Sequence, residues 1–198
     1  MDLPTHELAA SLAGILDEYA SHGNAGELRR RLEAAVQRVA GGQVLRAAVE
    51  PYRDNPDVIA PVYERIVELE PTDAQALVIL ANAWWLQGRG PGPVGELASR
   101  AIAVDPSHRG AWHLWALSES DPRRRVQRWA QVAERFPGDD LALAAMADNA
   151  AAVAGAERDY DMLDLAIATF ERLLARAEQP AQRDAVESAL RSLRGWRL

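Results

Sequence analysis

The stretch Leu69-Glu70-Pro71-Thr72-Asp73-Ala74 decides the fold, because variants of it recur along the chain. Val104-Asp105-Pro106-Ser107-His108 stands 35 residues later, Phe136-Pro137-Gly138-Asp139 a further 31, and Glu178-Gln179-Pro180 a further 43. At each place a helical run stops, a proline blocks its continuation, and a new run begins. Breaks at intervals near 34 residues mark seams between repeated helix pairs.

Between the seams the residues are helix formers. Ala, Leu, Glu, Gln and Arg dominate, and no alternating β-branched run occurs. Leu8, Leu12, Ile15, Leu16 and Tyr19 form one apolar stripe on a first helix, with Thr5 as its cap and Gly23 past its end. Asn24 with Glu27 has capping-box spacing and opens a second helix carrying Leu28, Leu32, Ala35, Val36 and Val39, which Gly41-Gly42 stops. A short helix is expected around Val44–Glu50. Asp54-Asn55-Pro56 then breaks the chain. Asp57 is read as the cap of a helix running to Leu69, with Pro61 in its first turn.

Working outward from the seams, each first helix carries large residues around a small one. The units read Leu77-x2-Leu80-Ala81-x2-Trp84, then Trp112-x2-Trp115-Ala116-x2-Glu119, then Leu143-x2-Met146-Ala147-x2-Ala150. In the second helices Tyr63 and Trp129 each precede a seam proline by eight residues, and Ala166-x3-Phe170 follows the same plan. A small residue lets two helices approach, and an aromatic fills the groove beside it. Over residues 57–180 the chain resembles the tetratricopeptide repeat (TPR) family, with Glu119 departing from its pattern. The resemblance implies an all-α fold: a right-handed superhelical stack of antiparallel hairpins, closed by a capping C-terminal helix over Pro180–Trp196. It organises the chain as an N-terminal helical segment, 1–56, and a repeat region, 57–198.

The same resemblance implies that first helices line a concave surface that holds a peptide or helix of another protein. The residues facing it are Gln75, Val78, Asn82 and Trp85, then His113 and Leu117, then Leu141, Ala144 and Asp148. Trp85 lies about 100° round the helix from the core position of Trp84 and is the expected aromatic anchor. Some family members clamp a carboxylate with Lys, Arg and Asn on this face; Asn82 fits that set, but Val78 stands where a cation belongs. The expected function is therefore a protein-interaction module or scaffold. The alternative is an assembly factor similar to the helical-repeat subunits of bacterial cytochrome maturation.

Composition excludes several other classes. The 198 residues are 48% hydrophobic and 26% charged, which suffices for a core. Net charge is −7, with 12 acidic against 7 basic residues in 1–70 and 17 against 15 in the remainder, so no surface for nucleic acid is expected. Absence of cysteine removes thiolate metal sites and cysteine nucleophiles and fits a reducing compartment. All 22 basic residues are Arg, as a GC-rich genome gives, and this removes lysine chemistry. No 18-residue apolar window or basic leader occurs, so a soluble, cytoplasmic bacterial protein is expected.

The remaining features have plain readings. Gly88–Pro93 lacks the Lys and hydroxyl of a phosphate loop and reads as a turn. Asp121-Pro122 is a short turn, and Gly155–Asp161 a long linker. The four histidines have no ligand spacing, so neither metal nor other cofactor is expected. An enzyme would have to draw on scattered carboxylates such as Glu119 and Asp148, and no paired nucleophile and base supports one. Arg29–Arg31 and Arg123–Arg125 with Arg128 read as solvated faces; the acidic stretch 134–164 could answer the second run in another copy, making self-association possible.

Overall fold

Asparagine and aspartate side chains begin most of the helices. In the computed structural model, which describes residues 5–196, Asn24 Oδ1 accepts from Glu27 N at 3.0 Å and Asp73 Oδ1 from Ala76 N at 2.9 Å. Asp121, Asp139 and Asp159 do the same for later helices. Each bond satisfies one of the amides that a helix start leaves without a partner. Prolines 56, 91, 122 and 180 stand at the first turn, where a missing N–H costs nothing.

The result is all-α. Among the described residues there are eleven α-helices and no strand: α1 (Thr5–His22), α2 (Ala25–Val36), α3 (Gly42–Val49), α4 (Pro56–Leu69), α5 (Ala74–Leu86), α6 (Pro91–Val104), α7 (Arg109–Leu117), α8 (Pro122–Arg135), α9 (Asp140–Glu157), α10 (Tyr160–Arg176) and α11 (Pro180–Gly195). A 3₁₀ turn, Glu50–Tyr52, follows α3.

The chain forms two compact units, Met1–Leu114 and Trp115–Leu198. In the first, α1 packs on α2 and α3, α4 on α2 and α3, and α5 on α4 and α6. The α5–α6 hairpin closes on Leu77, Leu80 and Ala81 from one helix and Val94, Leu97 and Ala98 from the other, all buried. Each buried leucine contributes about 1.5–3 kcal/mol, and the alanines let the backbones approach. In the second unit α9 packs on α8 and α10, and α10 on α11. Trp129, Met146, Ala147, Ala166 and Phe170 fill that core as the repeat pattern predicts. Val186, Leu190 and Leu193 of α11 face inward, while Arg191 and Arg194 face water.

Four local expectations change. Asn55, not Asp57, caps α4, because Pro56 already occupies the first helical position. Pro61 therefore lies in the second turn, buried, where its ring removes the amide that would bond the Asp57 carbonyl. The stop after α2 comes at Val36, and Gly42 belongs to α3 rather than to a break. The linker at Gly155–Asp161 shrinks to two residues: α9 runs on to Glu157, Arg158 turns in the left-handed region at φ 54°, and Asp159 starts α10. Alanine-rich sequence there sustains the helix in spite of Gly155. Thr5, expected as the cap of α1, is itself the first described residue of that helix.

Candidate interaction surface on the first helices

The side of α5 opposite its buried leucines carries the residues singled out from the sequence. Gln75 and Asn82 are exposed, Val78 and Trp85 half-buried, and Leu86, one residue on, is 62% exposed. The start of α7 covers the first half of this face. His108 Nε2 lies in hydrogen-bond contact with Gln75 Oε1 at 2.9 Å, and its Nδ1 accepts the Ala111 amide at 3.3 Å. Gly110 lies against Val78; a Cβ there would stand 3.5 Å from its Cγ1. The open part of the face is thus Asn82, Trp85 and Leu86. Asn82 and Leu86 border a shallow depression of about 170 Å³, with Ile79 beside them and Arg53, Asp54 and Ile59 opposite.

Trp85 is less exposed than an anchor on an open helix face would be. The more exposed apolar side chain is its neighbour Leu86, which the periodicity did not single out because it stands at the end of the helix. His113 is half-buried on α7 in the first unit. Leu117, half-buried, and Asp148, exposed, belong to the second unit, where Leu141 is also 63% exposed on α9. Leu141 and Asp148 are seven residues apart and share one side of α9. Desolvation by the surrounding protein raises the Asp148 carboxyl above its ordinary range.

The charges that look free in the sequence are mostly engaged. Glu64 on α4 accepts from Arg29 Nη2 of α2 at 3.0 Å and from the Trp84 indole of α5 at 2.9 Å, and pairs with Arg89 Nη1 at 3.0 Å. Arg89 also stacks over the Trp84 ring at 4.8 Å. Trp84, expected wholly in the core, is half-buried in consequence, with its polar edge turned to this carboxylate. Arg46 of α3 binds Glu70 at 2.7 Å and also Asp73, the α5 cap.

The arginine run of α8 is likewise used within the second unit. Arg123 pairs with Glu157 and Asp159 at the α9–α10 turn, so part of the acidic stretch is answered inside the same copy. Arg128 pairs with Glu119 Oε2 at 2.9 Å, donates to the Trp115 carbonyl at 2.7 Å and lies 4.4 Å over the Trp115 ring. Glu119 is buried; the Asp121 amide at 3.0 Å, then Arg128 and Arg124, hold its carboxyl below the usual range. Both Glu119 oxygens are thus engaged by neighbours within the second unit.

Among the described residues no three His, Asp or Glu side chains gather closely enough to hold a metal ion, and no helix is long and apolar enough to cross a membrane. Gly88 and Gly90 have φ of 68° and 88°, which makes the Gly88–Pro93 loop a glycine-dependent turn into α6.

No family model matches the sequence, and no curated protein does. Solved structures share the arrangement. A crystal structure of MamA aligns at 17% identity over 82% of this chain and 96% of its own, with a TM-score of 0.59. A second MamA structure aligns at 18% identity over 88% and 97%, with a TM-score of 0.56. PilF of Pseudomonas aeruginosa aligns at 15% identity over 96% and 93%, with a TM-score of 0.52. Both are TPR-type proteins, and at such identities the likeness concerns the fold alone. This chain is accordingly an all-α protein with a TPR-like arrangement of helix hairpins.

Proposed function

We propose that this protein is a protein–protein interaction module, which holds a peptide or helix of a partner against the first helices of its hairpins. The observation that carries this reading is the open end of α5. Asn82 and Leu86 stand exposed beside a shallow depression on a helix whose other side is fully occupied by the core. An exposed leucine next to an amide handle is what an amphipathic or extended peptide uses for anchoring and register. Gln75 and Val78 serve instead to seat the start of α7. His113, Leu117 and Asp148 remain proposed contacts, Asp148 as the acidic one.

The catalytic alternative is less well supported. Glu119, one of its two carboxylates, is tied up by an amide and two arginines. A cytoplasmic setting and a protein partner are part of the proposal.

A photo-crosslinking residue placed at position 82 tests it in living cells of the source organism, with the same residue at Arg100 on the exposed side of α6 as comparison. The expected result is a discrete protein adduct from position 82 alone, lost in a Leu86→Glu background. Identical adducts from both positions, or none from position 82, would remove the α5 face as the partner site.

A further inference from the structure

At one end of the second unit, the C-terminal turn of α9, the first turn of α10 and the residue after α11 enclose a depression of about 450 Å³. Buried Ala154 and Leu163 line its base, and Arg158, Tyr160 and Trp196 stand at its edge. Two large aromatics share the opening: Trp196 is 48% and Tyr160 63% exposed. A folded chain seldom leaves two such rings in water at one concave place unless something covers them. Gly155 sets the position of one ring. A Cβ there would stand 3.3 Å from the Trp196 indole, so the glycine lets the indole lie close over α9.

The hydrogen-bonding character of the edge narrows the occupant. The Trp196 indole and the Arg158 guanidinium only donate, and the Tyr160 hydroxyl donates as readily as it accepts. Among the described residues none of these three side chains forms a hydrogen bond or ion pair. The one carboxylate at the same place, Asp159, is taken by the Asp161 and Met162 amides and by Arg123. The side chains at the edge therefore offer donors and flat apolar faces, and their complement has carbonyl acceptors and compact apolar rings. An X–Pro segment meets both conditions. Its tertiary amide lacks an N–H, its pyrrolidine packs on aromatic faces, and its polyproline backbone is extended before it binds. A helical peptide does not, because its carbonyls are bonded internally.

We propose that the Tyr160–Trp196 depression is a docking site for a proline-rich, extended segment of a partner protein. This site is separate from the α5 face and does not rest on it.

The test is a ¹H–¹⁵N NMR titration of the full chain, following the Trp196 indole N–H, which is assigned by its loss in Trp196→Phe. The probe is an acetylated, amidated decaproline, with a Gly-Ser decamer as control. The expected result is a saturable shift with decaproline and none with the control. Tyr160→Ala, which removes an exposed ring, raises the Kd about tenfold and leaves melting unchanged. Gly155→Ala, which displaces the indole, weakens binding as an independent second variant. No shift with decaproline, an equal shift with the Gly-Ser peptide, or an unaltered titration in both variants overturns the proposal. So does a helical peptide that moves this resonance when decaproline does not.

Discussion

Removing the Glu64 carboxylate should loosen three elements of the first unit at once. Arg29 on α2, Trp84 on α5 and Arg89 in the α5–α6 turn all converge on it. Arg29 is 42% exposed, so its pair contributes about 0.5 kcal/mol. Arg89 is 27% exposed, and its pair contributes about 1 kcal/mol. Leaving the Trp84 indole without an acceptor costs about 1 kcal/mol more. Glu64→Ala is thus expected to lose roughly 2–3 kcal/mol, which for a chain of this size lowers Tm by roughly 4–12 °C. Glu64→Gln keeps an oxygen for the indole and should lose about half as much. In about 1 M salt the arginine contributions are screened, and the gap between wild type and Glu64→Ala should narrow to about 1 kcal/mol. Thermal and urea unfolding followed by circular dichroism at low and high salt measures all three quantities. A loss under about 0.5 kcal/mol, or one indifferent to salt, would refute the reasoning that this carboxylate joins the three elements.

Three further outcomes follow from the same geometry. The Glu119 carboxyl is held below its ordinary value of 4.5, so it favours the folded state above that pH and the contribution is lost as pH falls through the lowered value; Glu119→Gln should flatten that acid limb in urea titrations between pH 7 and 3. Asp148 has the opposite sign. Its raised carboxyl disfavours the folded state once ionised, so Asp148→Asn should stabilise the chain at pH 7, an advantage that disappears below its ordinary value of 3.8. For the glycines, a Cβ at Gly42 would overlap the Glu70 carboxylate, so Gly42→Ala must push that carboxylate off Arg46 and is expected to destabilise by about 0.5–1.5 kcal/mol. Gly14→Ala, with open space around it in α1, should stabilise by roughly 0.5–1 kcal/mol, and comparing their urea midpoints checks the contrast.

The helices were legible because their signals are local. Apolar spacing, seam prolines and the Asn24–Glu27 capping spacing act within a few residues, and Asn24 caps α2 where that spacing indicates. The reading failed where two local signals competed. Pro56 and Pro61 both suit a helix start, and the first of them took it, which moved the cap to Asn55. At Gly155 a helix breaker was outweighed by the alanines around it.

Surface residues were less legible. Trp85 and Leu86 differ by one position, and periodicity does not tell which of two adjacent apolar residues at a helix end the next element will shelter. Glu64 carries no local mark at all: its partners lie 35, 20 and 25 residues away in sequence. The arginines of α8 looked like a solvated face for the same reason. Arg123 finds Glu157 and Asp159 only after α9 has folded back on α8.

By itself, then, the order of residues determined that this chain is helical, where its hairpins break, and which small and large side chains share each seam. Those properties depend on backbone propensity and on a period of 3.6 residues, both set within one or two turns. Tertiary structure decided which charges neutralise one another, which aromatics keep a face in water, and that Tyr160 and Trp196, 36 residues apart, share one depression. Those depend on distances between elements, and a helix pattern fixes the direction of a side chain from its own axis without specifying what stands opposite.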